Sequence, residues 1–390
     1  MNRRICIWIA ALGIGCLVST GQAQTAAAPK NLSTIHNVEA PSATDRKQID
    51  DFIAGQLATI VSGQPNDQKT ASAALLNEVA AVNTVGWSTQ YLETFAASLN
   101  QQAQAVLKAK PAAPVRARLI VGVAAARVAA STKSFQLADS ASVLLNDESE
   151  VVVLWGMKTA KYVLPGLISV KVGGKIPLLQ QMVATGLKFP GPVLTEAYQG
   201  LTLEPMDIQN PANARGAGPQ ITAVIPSVQA LLAGRVGAWG AAVPKQVTDE
   251  AIGTGFLVNS SVWKLQSQPQ QQLTVQIMQG LLMKASASFA VEADKESLTK
   301  LLNRLGSGFS VVATSLTPPD TNLDNAATPV KKINKGMNPA QAAVACDDLN
   351  SAINGMALMQ GAPPFAPAGT GPTTKPASAS SPAAPLAVTK

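Results

Sequence analysis

Apolar residues recur at three- and four-residue spacing along most of the chain, which is the pattern of helices that bury one face. The first stripe runs from Ile49 to Val61, behind a capping-box pair formed by Ser42 and Asp45, and it stops before Gly63. Further stripes cover 75–82, 91–107, 115–131, 273–282 and 298–305. The pattern predicts an all-α chain.

Signals for β-strands are weak. The apolar run Val151–Trp155 has the composition of a buried strand, but its stripe continues at helical spacing to Tyr162, so we predict a helix. Ile168, Val170 and Val172 alternate with other residues just before a pair of glycines. This alternation predicts one β-hairpin.

The predicted helices are joined by short connections rich in Pro, Gly and Asn. Such links favour antiparallel helical hairpins, either bundled or stacked in an array. A loop-like segment at 206–219 divides an N-terminal helical array, 42–205, from a C-terminal helical region, 220–361. A single continuous domain is the alternative. We predict a second loop from Pro318 to about Asn338.

Both ends of the chain have a different composition. Residues 24–41 lack a steady periodicity and are predicted to be a linker, in which the only histidine, His36, is solvated. Residues 362–390 contain seven prolines among Ala, Ser, Thr and Gly. A segment of this kind buries too little surface to offset its ordering entropy, so we predict a disordered C-terminal tail.

The N-terminus has the features of a secretory signal. Arg3 and Arg4 precede the apolar stretch Ile5–Val18, and small residues follow at Gly21 and Ala23. This arrangement predicts a signal peptide at 1–23, cleaved after Ala23. We therefore expect a periplasmic, cell-envelope or extracellular protein with no membrane span after cleavage. An uncleaved anchor and a lipid-modified Cys16 are the alternatives.

The residues available for chemistry are few. One histidine in 390 residues excludes sites that need several His ligands. Phosphate-loop, dinucleotide-binding and CxxC patterns are absent from the sequence. Ser261 and Lys264 form an SxxK pattern without its companion motifs. Signal cleavage would leave Cys346 as the single cysteine, and we expect it to be a buried apolar side chain, with an intermolecular disulfide as the alternative. We therefore predict no metal, cofactor or catalytic residue.

Positive charge is concentrated in one part of the chain. The formal net charge is +7, and residues 108–188 alone carry 11 basic and four acidic residues. This segment is the candidate surface for an acidic partner, and the candidate partner-binding residues are Arg116, Arg118, Arg127, Lys133, Lys158 and Lys161. Nucleic acid is not expected, because the segment lacks aromatic stacking platforms and export argues against a genomic target.

One stretch, Leu144–Val152, resembles the junction between the two helices of a HEAT/armadillo-type α-solenoid repeat. Its paired leucines would end one helix, and Asp147 would cap the next. Pro114-Val115-Arg116 is similar to the Val-Arg start of the second helix and lies 37 residues before Val152. The sequence departs from the family at Val153, where Arg is usual, and at Gly156, where Ala is usual. The resemblance implies an α-solenoid, a fold used mostly to bind proteins.

The function expected from these features is an exported, non-catalytic helical scaffold that binds a protein partner in the periplasm or cell envelope. The first alternative is binding of an anionic envelope component through the basic segment 108–188. The second alternative is a divergent enzyme that works without histidine.

Overall fold

The computed structural model describes residues 32–80, 86–171, 174–208, 210, 213, 216–240, 243–244, 246–291 and 295–365. Within these residues the chain forms fifteen α-helices and no β-strand, so the predicted all-α class is confirmed. The helices are α1 Ala43–Ser62, α2 Pro65–Ala80, α3 Thr89–Leu107, α4 Val115–Thr132, α5 Ala138–Leu145, α6 Glu150–Val170, α7 Pro177–Lys188, α8 Pro192–Leu201, α9 Gly218–Ala238, α10 Glu250–Leu257, α11 Ser260–Trp263, α12 Gln268–Phe289, α13 Lys295–Ser315, α14 Thr321–Val330 and α15 Pro339–Gly355.

The helices form a two-layer array. Along one layer α1 packs on α3, α3 on α5, α5 on α7, α7 on α9, α9 on α12 and α12 on α15. Along the other layer the order is α2, α4, α6, α8, α10 and α13. The layers also pack on one another, through α1 on α2, α3 on α4, α5 on α6, α7 on α8, α9 on α10 and α12 on α13, so the apolar faces meet in one continuous core. The packing of α9 on α7 crosses the loop predicted at 206–219.

Local sequence explains where the first helix begins. The Ser42 side chain accepts from the Asp45 N–H, and the Asp45 carboxylate accepts from the Ser42 N–H, which confirms the predicted capping box. The predicted stripe, including Ile49, Phe52 and Ile53, is buried against the core. The helix ends one residue before Gly63, as expected.

The hairpin predicted around residue 170 is wrong. Ile168 and Val170 lie in the last turn of α6, and Ile168 is buried in the core. Only Ile168 belongs to the buried stripe of α6, because Val170 is 60% exposed, so the two residues lie on different faces of one helix. Val172 and Gly173 lie outside the described residues.

The linker predicted before residue 42 is wrong for its described part, residues 32–41. Leu32 is fully buried, and the His36 ring stacks on the Trp87 indole with a centroid distance of 3.8 Å. His36 Nε2 also lies 2.8 Å from Glu78 Oε2. The only histidine is therefore packed against α2 and the start of α3, because its ring finds both an aromatic face and a carboxylate there.

The loop predicted from 318 to 338 contains a helix, α14. Asp320 caps it by accepting from the Leu323 N–H at 3.0 Å. Leu323, Ala327 and Val330 are buried, so three apolar residues at helical spacing suffice to hold the segment on α13 and α15. The stripe is short and contains Pro329, which hid the helix from sequence reasoning.

Within the described part of the chain, two helices, α6 and α9, are long and apolar enough to cross a membrane by length and composition alone. In each of them 61% of the most apolar 18-residue window is buried inside the protein. Helices at the centre of a protein core pass the same test, so the apolar character of α6 and α9 is weak evidence for a membrane span. The predicted signal at 1–23 and the tail from 366 onward lie outside the described residues.

Candidate binding surfaces

The six predicted partner-binding residues fall into two groups. Arg118 belongs to the paired group, since its Nε donates to Asp147 Oδ2 at 2.7 Å and its Nη2 donates to Asp147 Oδ1 at 3.2 Å. This hydrogen-bonded pair raises the pKa of Arg118. Asp147 Oδ1 also accepts from the N–H of Ser149, which occupies the N-cap position of α6 without a side-chain cap of its own. The arginine therefore fastens the start of α4 to the α5–α6 junction.

Lys158 and Lys161 are also paired within the chain. Lys161 Nζ lies 2.8 Å from Glu196 Oε2 and 3.2 Å from Glu204 Oε2, and Lys158 Nζ lies 3.7 Å from Glu196 Oε1. Burial of the Lys161 ammonium group opposes its charge, but the contacts with the two glutamates outweigh burial and raise its pKa. These lysines join α6 to α8 and the turn after it.

The other three predicted residues are exposed. Arg116 and Arg127 lie eleven residues apart on α4, which places them on one helix face about 16 Å apart along the axis. Lys133 comes directly after α4, at its C-cap position, and has a left-handed backbone conformation (φ 51°). The structure thus leaves half of the predicted set available to an external partner.

The helices α4, α6 and α8 begin at the same edge of the array. Arg118 in the first turn of α4 meets Asp147 just before α6, and a Cβ built on Gly191, before α8, would lie 3.3 Å from Glu150 in α6. We call this region the helix-start edge. It is the end of the array at which the α5–α6 and α7–α8 connections lie.

Apolar side chains are exposed at the helix-start edge. Val115 opens α4 with 49% of its surface exposed, and Val151 in the first turn of α6 is 53% exposed. Next to Val151 lies a depression of about 450 Å³, lined among others by Glu150, Lys188 and Phe189. This mixture of apolar and charged groups is typical of surfaces that bind proteins.

A larger cavity lies at the opposite end of α6. It has a volume of about 690 Å³ and is bounded by the end of α6, the start of α7 and the first half of α9. Its lining includes Ile168, Lys171, Lys175, Leu179 and Thr222. We call it the lysine groove.

A buried polar cluster joins α8, α9 and α10. Arg235 Nε donates to Glu250 Oε1 at 2.5 Å, and both side chains are almost completely buried. Burial raises the pKa of Glu250 to about 7, against the opposing effect of Arg235. Burial also raises the pKa of Tyr198, and its hydroxyl has no hydrogen-bond partner among the described residues. The cavities described above are lined by other residues, so the cluster fastens helices to one another.

The described part of the chain has no group of three or more His, Cys, Asp or Glu side chains that could hold a metal ion. A scan against protein-family models and a search of curated proteins found no match for this chain. Function is therefore inferred from the surfaces themselves.

Sequence reasoning missed the lysine groove. Lys171 and Lys175 belong to the predicted basic segment, but the wall that completes the cavity comes from α9, more than 40 residues later. One signal was available in the sequence. Asp and Glu are absent between Glu150 and Glu196, and again between Asp207 and Asp249. These two acid-free stretches supply the walls of the groove.

Proposed function

We propose that the chain is an exported, non-catalytic helical scaffold that binds a protein partner at the helix-start edge. The observation that carries the proposal is the exposure of Val115 and Val151 at the helix-start edge, where a depression lined by Phe189 lies next to Val151. Protein interfaces combine such an apolar centre with a polar rim. Here Arg116, at the start of α4, and Glu150, in the first turn of α6, are exposed and supply polar groups.

Other parts of the proposal rest on the sequence. Export is supported by the signal-like segment from Arg3 to Ala23, and the non-catalytic role by the lack of recognised catalytic or nucleotide-binding motifs. The two-layer array of hairpins supports the proposed kinship with HEAT/armadillo-type solenoids. In that architecture neighbouring hairpins present an extended surface, which suits a scaffold.

Site-specific photo-cross-linking tests the proposal. A photoreactive amino acid replaces Val115 or Val151 in the full chain, which is produced in its own cell, and Val344 on α15 is the matched control because it is 59% exposed. We expect the same protein to be captured at 115 and 151 and not at 344. The double variant Val115→Asp/Val151→Asp should lose that partner while keeping its helical circular dichroism. Capture of unrelated proteins, or equal capture at 344, would contradict the proposal.

The second candidate is binding of an anionic envelope component through the exposed members of the basic segment. The observation in its favour is that Arg116 and Arg127 share one exposed face of α4, with Lys133 at its end. Binding of an anionic polymer should weaken with salt and should be lost in the variant Arg116→Glu/Arg127→Glu. If the variant Arg116→Glu/Arg127→Glu still binds the anionic polymer, this face of α4 is not the binding surface.

A further inference from the structure

The lysine groove has an uncompensated positive charge. Lys171 and Lys175 both line it and are exposed, and neither forms an ion pair with any of the described residues. Asp and Glu are absent from the sequence of α6 after Glu150, from the α6–α7 connection, and from α7 and α9. Because no acid in these elements offsets the lysines, the potential at this end of the groove favours an anion.

Two helix starts add to this charge. The groove is lined by Pro177 at the start of α7 and by Pro219 in the first turn of α9. Neither α7 nor α9 has a side chain that caps its N-terminus. The positive end of each helix dipole therefore lies toward the same region as the two lysines.

Apart from the lysines, the lining is mostly apolar, and Gln180, Thr222 and Ser227 are its other polar side chains. Ile168, Ile176 and Leu179 line the cavity and are almost completely buried, and Ala223 of α9 is part of the same lining. The volume of about 690 Å³ lies within the range of small-molecule sites, which is roughly 300–1,000 Å³. A ligand that fits has one narrow apolar body and one small anionic end.

We infer that the lysine groove binds a long-chain carboxylate, with its head between Lys171 and Lys175 at the starts of α7 and α9 and its alkyl chain along Ile168, Leu179 and Ala223. A single chain is favoured over a two-chain lipid by the volume. This site lies at the opposite end of α6 from the helix-start edge, so it is independent of the proposed protein-binding function.

Equilibrium dialysis of the full chain with radiolabelled dodecanoate, kept below its micellar concentration, tests the inference. Dodecanol has the same chain without the charge, and lysophosphatidylglycerol has a single chain with a phosphate head. We expect one dodecanoate per chain, bound at least tenfold more tightly than dodecanol. We also expect that lysophosphatidylglycerol does not displace it at equal concentration.

Charge-reversal variants locate the site. Lys171→Glu/Lys175→Glu should weaken dodecanoate binding at least tenfold. Lys332→Glu/Lys335→Glu is the matched control, because it makes the same charge change at two other exposed lysines and should alter binding less than twofold. Thr222→Trp adds a large side chain from an exposed position on the α9 wall and should block the groove without any change of charge.

Several results would overturn the inference. Equal affinity for dodecanol and dodecanoate would show that the lysines do not bind the carboxylate head. Unchanged binding in both Lys171→Glu/Lys175→Glu and Thr222→Trp would place the ligand elsewhere, for example on the apolar N-terminal segment. Displacement of dodecanoate by lysophosphatidylglycerol would make a phosphate, and not a carboxylate, the preferred head. Thermal melts monitored by circular dichroism are the control that tests whether each variant is folded.

Discussion

Gly156 allows α6 to approach α5 more closely than any other residue would. A Cβ at this position would lie 2.7 Å from the Cβ of Leu144, and 2.9 Å from the Leu144 carbonyl carbon and the Leu145 nitrogen. Carbon atoms in contact are normally about 3.5–4.0 Å apart, so the backbone of α5 must shift by roughly 1 Å in Gly156→Ala. Overpacking costs about 1–3 kcal/mol, and the better helix propensity of Ala returns about 1 kcal/mol. Because two of the three contacts are backbone atoms, we expect a net loss of about 2 kcal/mol.

Urea unfolding followed by circular dichroism measures this loss. Gly55→Ala is the matched control, since Gly55 is exposed in the middle of α1 and a Cβ there would meet nothing within 4 Å. The control should gain about 0.5–1 kcal/mol in the free energy of unfolding. If the free energy of unfolding falls in Gly156→Ala and rises in Gly55→Ala, the difference is due to the close contact between α5 and α6 at Gly156. If Gly156→Ala is as stable as the wild type, α5 and α6 do not pack as closely as the Leu144 contacts require.

Two further predictions concern buried ionisable groups. Burial raises the pKa of Glu250 from its ordinary 4.5 to about 7, so the folded chain holds this proton more tightly than the unfolded chain. The resulting stabilisation of the fold is complete below about pH 4.5 and is lost as the pH rises through 7. Relative to Glu250→Gln, the wild type should therefore lose about 3 kcal/mol of stability between pH 4.5 and pH 8 in urea titrations, and a pH-independent difference would refute this. Burial raises the pKa of Cys346 to about 11, so its reaction with a thiol reagent at pH 8 should be slow in the native chain and rapid in urea. Equal reaction rates in the two conditions would show that the thiol is accessible in the native chain.

The sequence was informative where a long apolar stripe coincides with a cap. The start of α1 is such a case, since Ser42 and Asp45 form a capping box ahead of the stripe that begins at Ile49. Cys346 is fully buried, as predicted. These features depend on interactions within about ten residues, and local periodicity is enough to reveal them.

Features that depend on distant residues could not be read from the sequence. His36 has no local signal that would show its stacking on Trp87, fifty-one residues later. The pairing of Lys158 and Lys161 with Glu196 likewise requires α8 to pack beside α6. Composition can count the charges of the basic segment, but only the packing decides which of them face solvent.

The segment before α1 is part of the folded unit. Leu32 and Ile35 are buried, and the backbone is fastened to Ser88, whose N–H donates to the His36 carbonyl at 2.8 Å and whose hydroxyl donates to the Val38 carbonyl. Removal of residues 32–38 would expose apolar core surface and would take away the two acceptors of Ser88. The boundary of the stable unit therefore lies before α1 and not at its first residue.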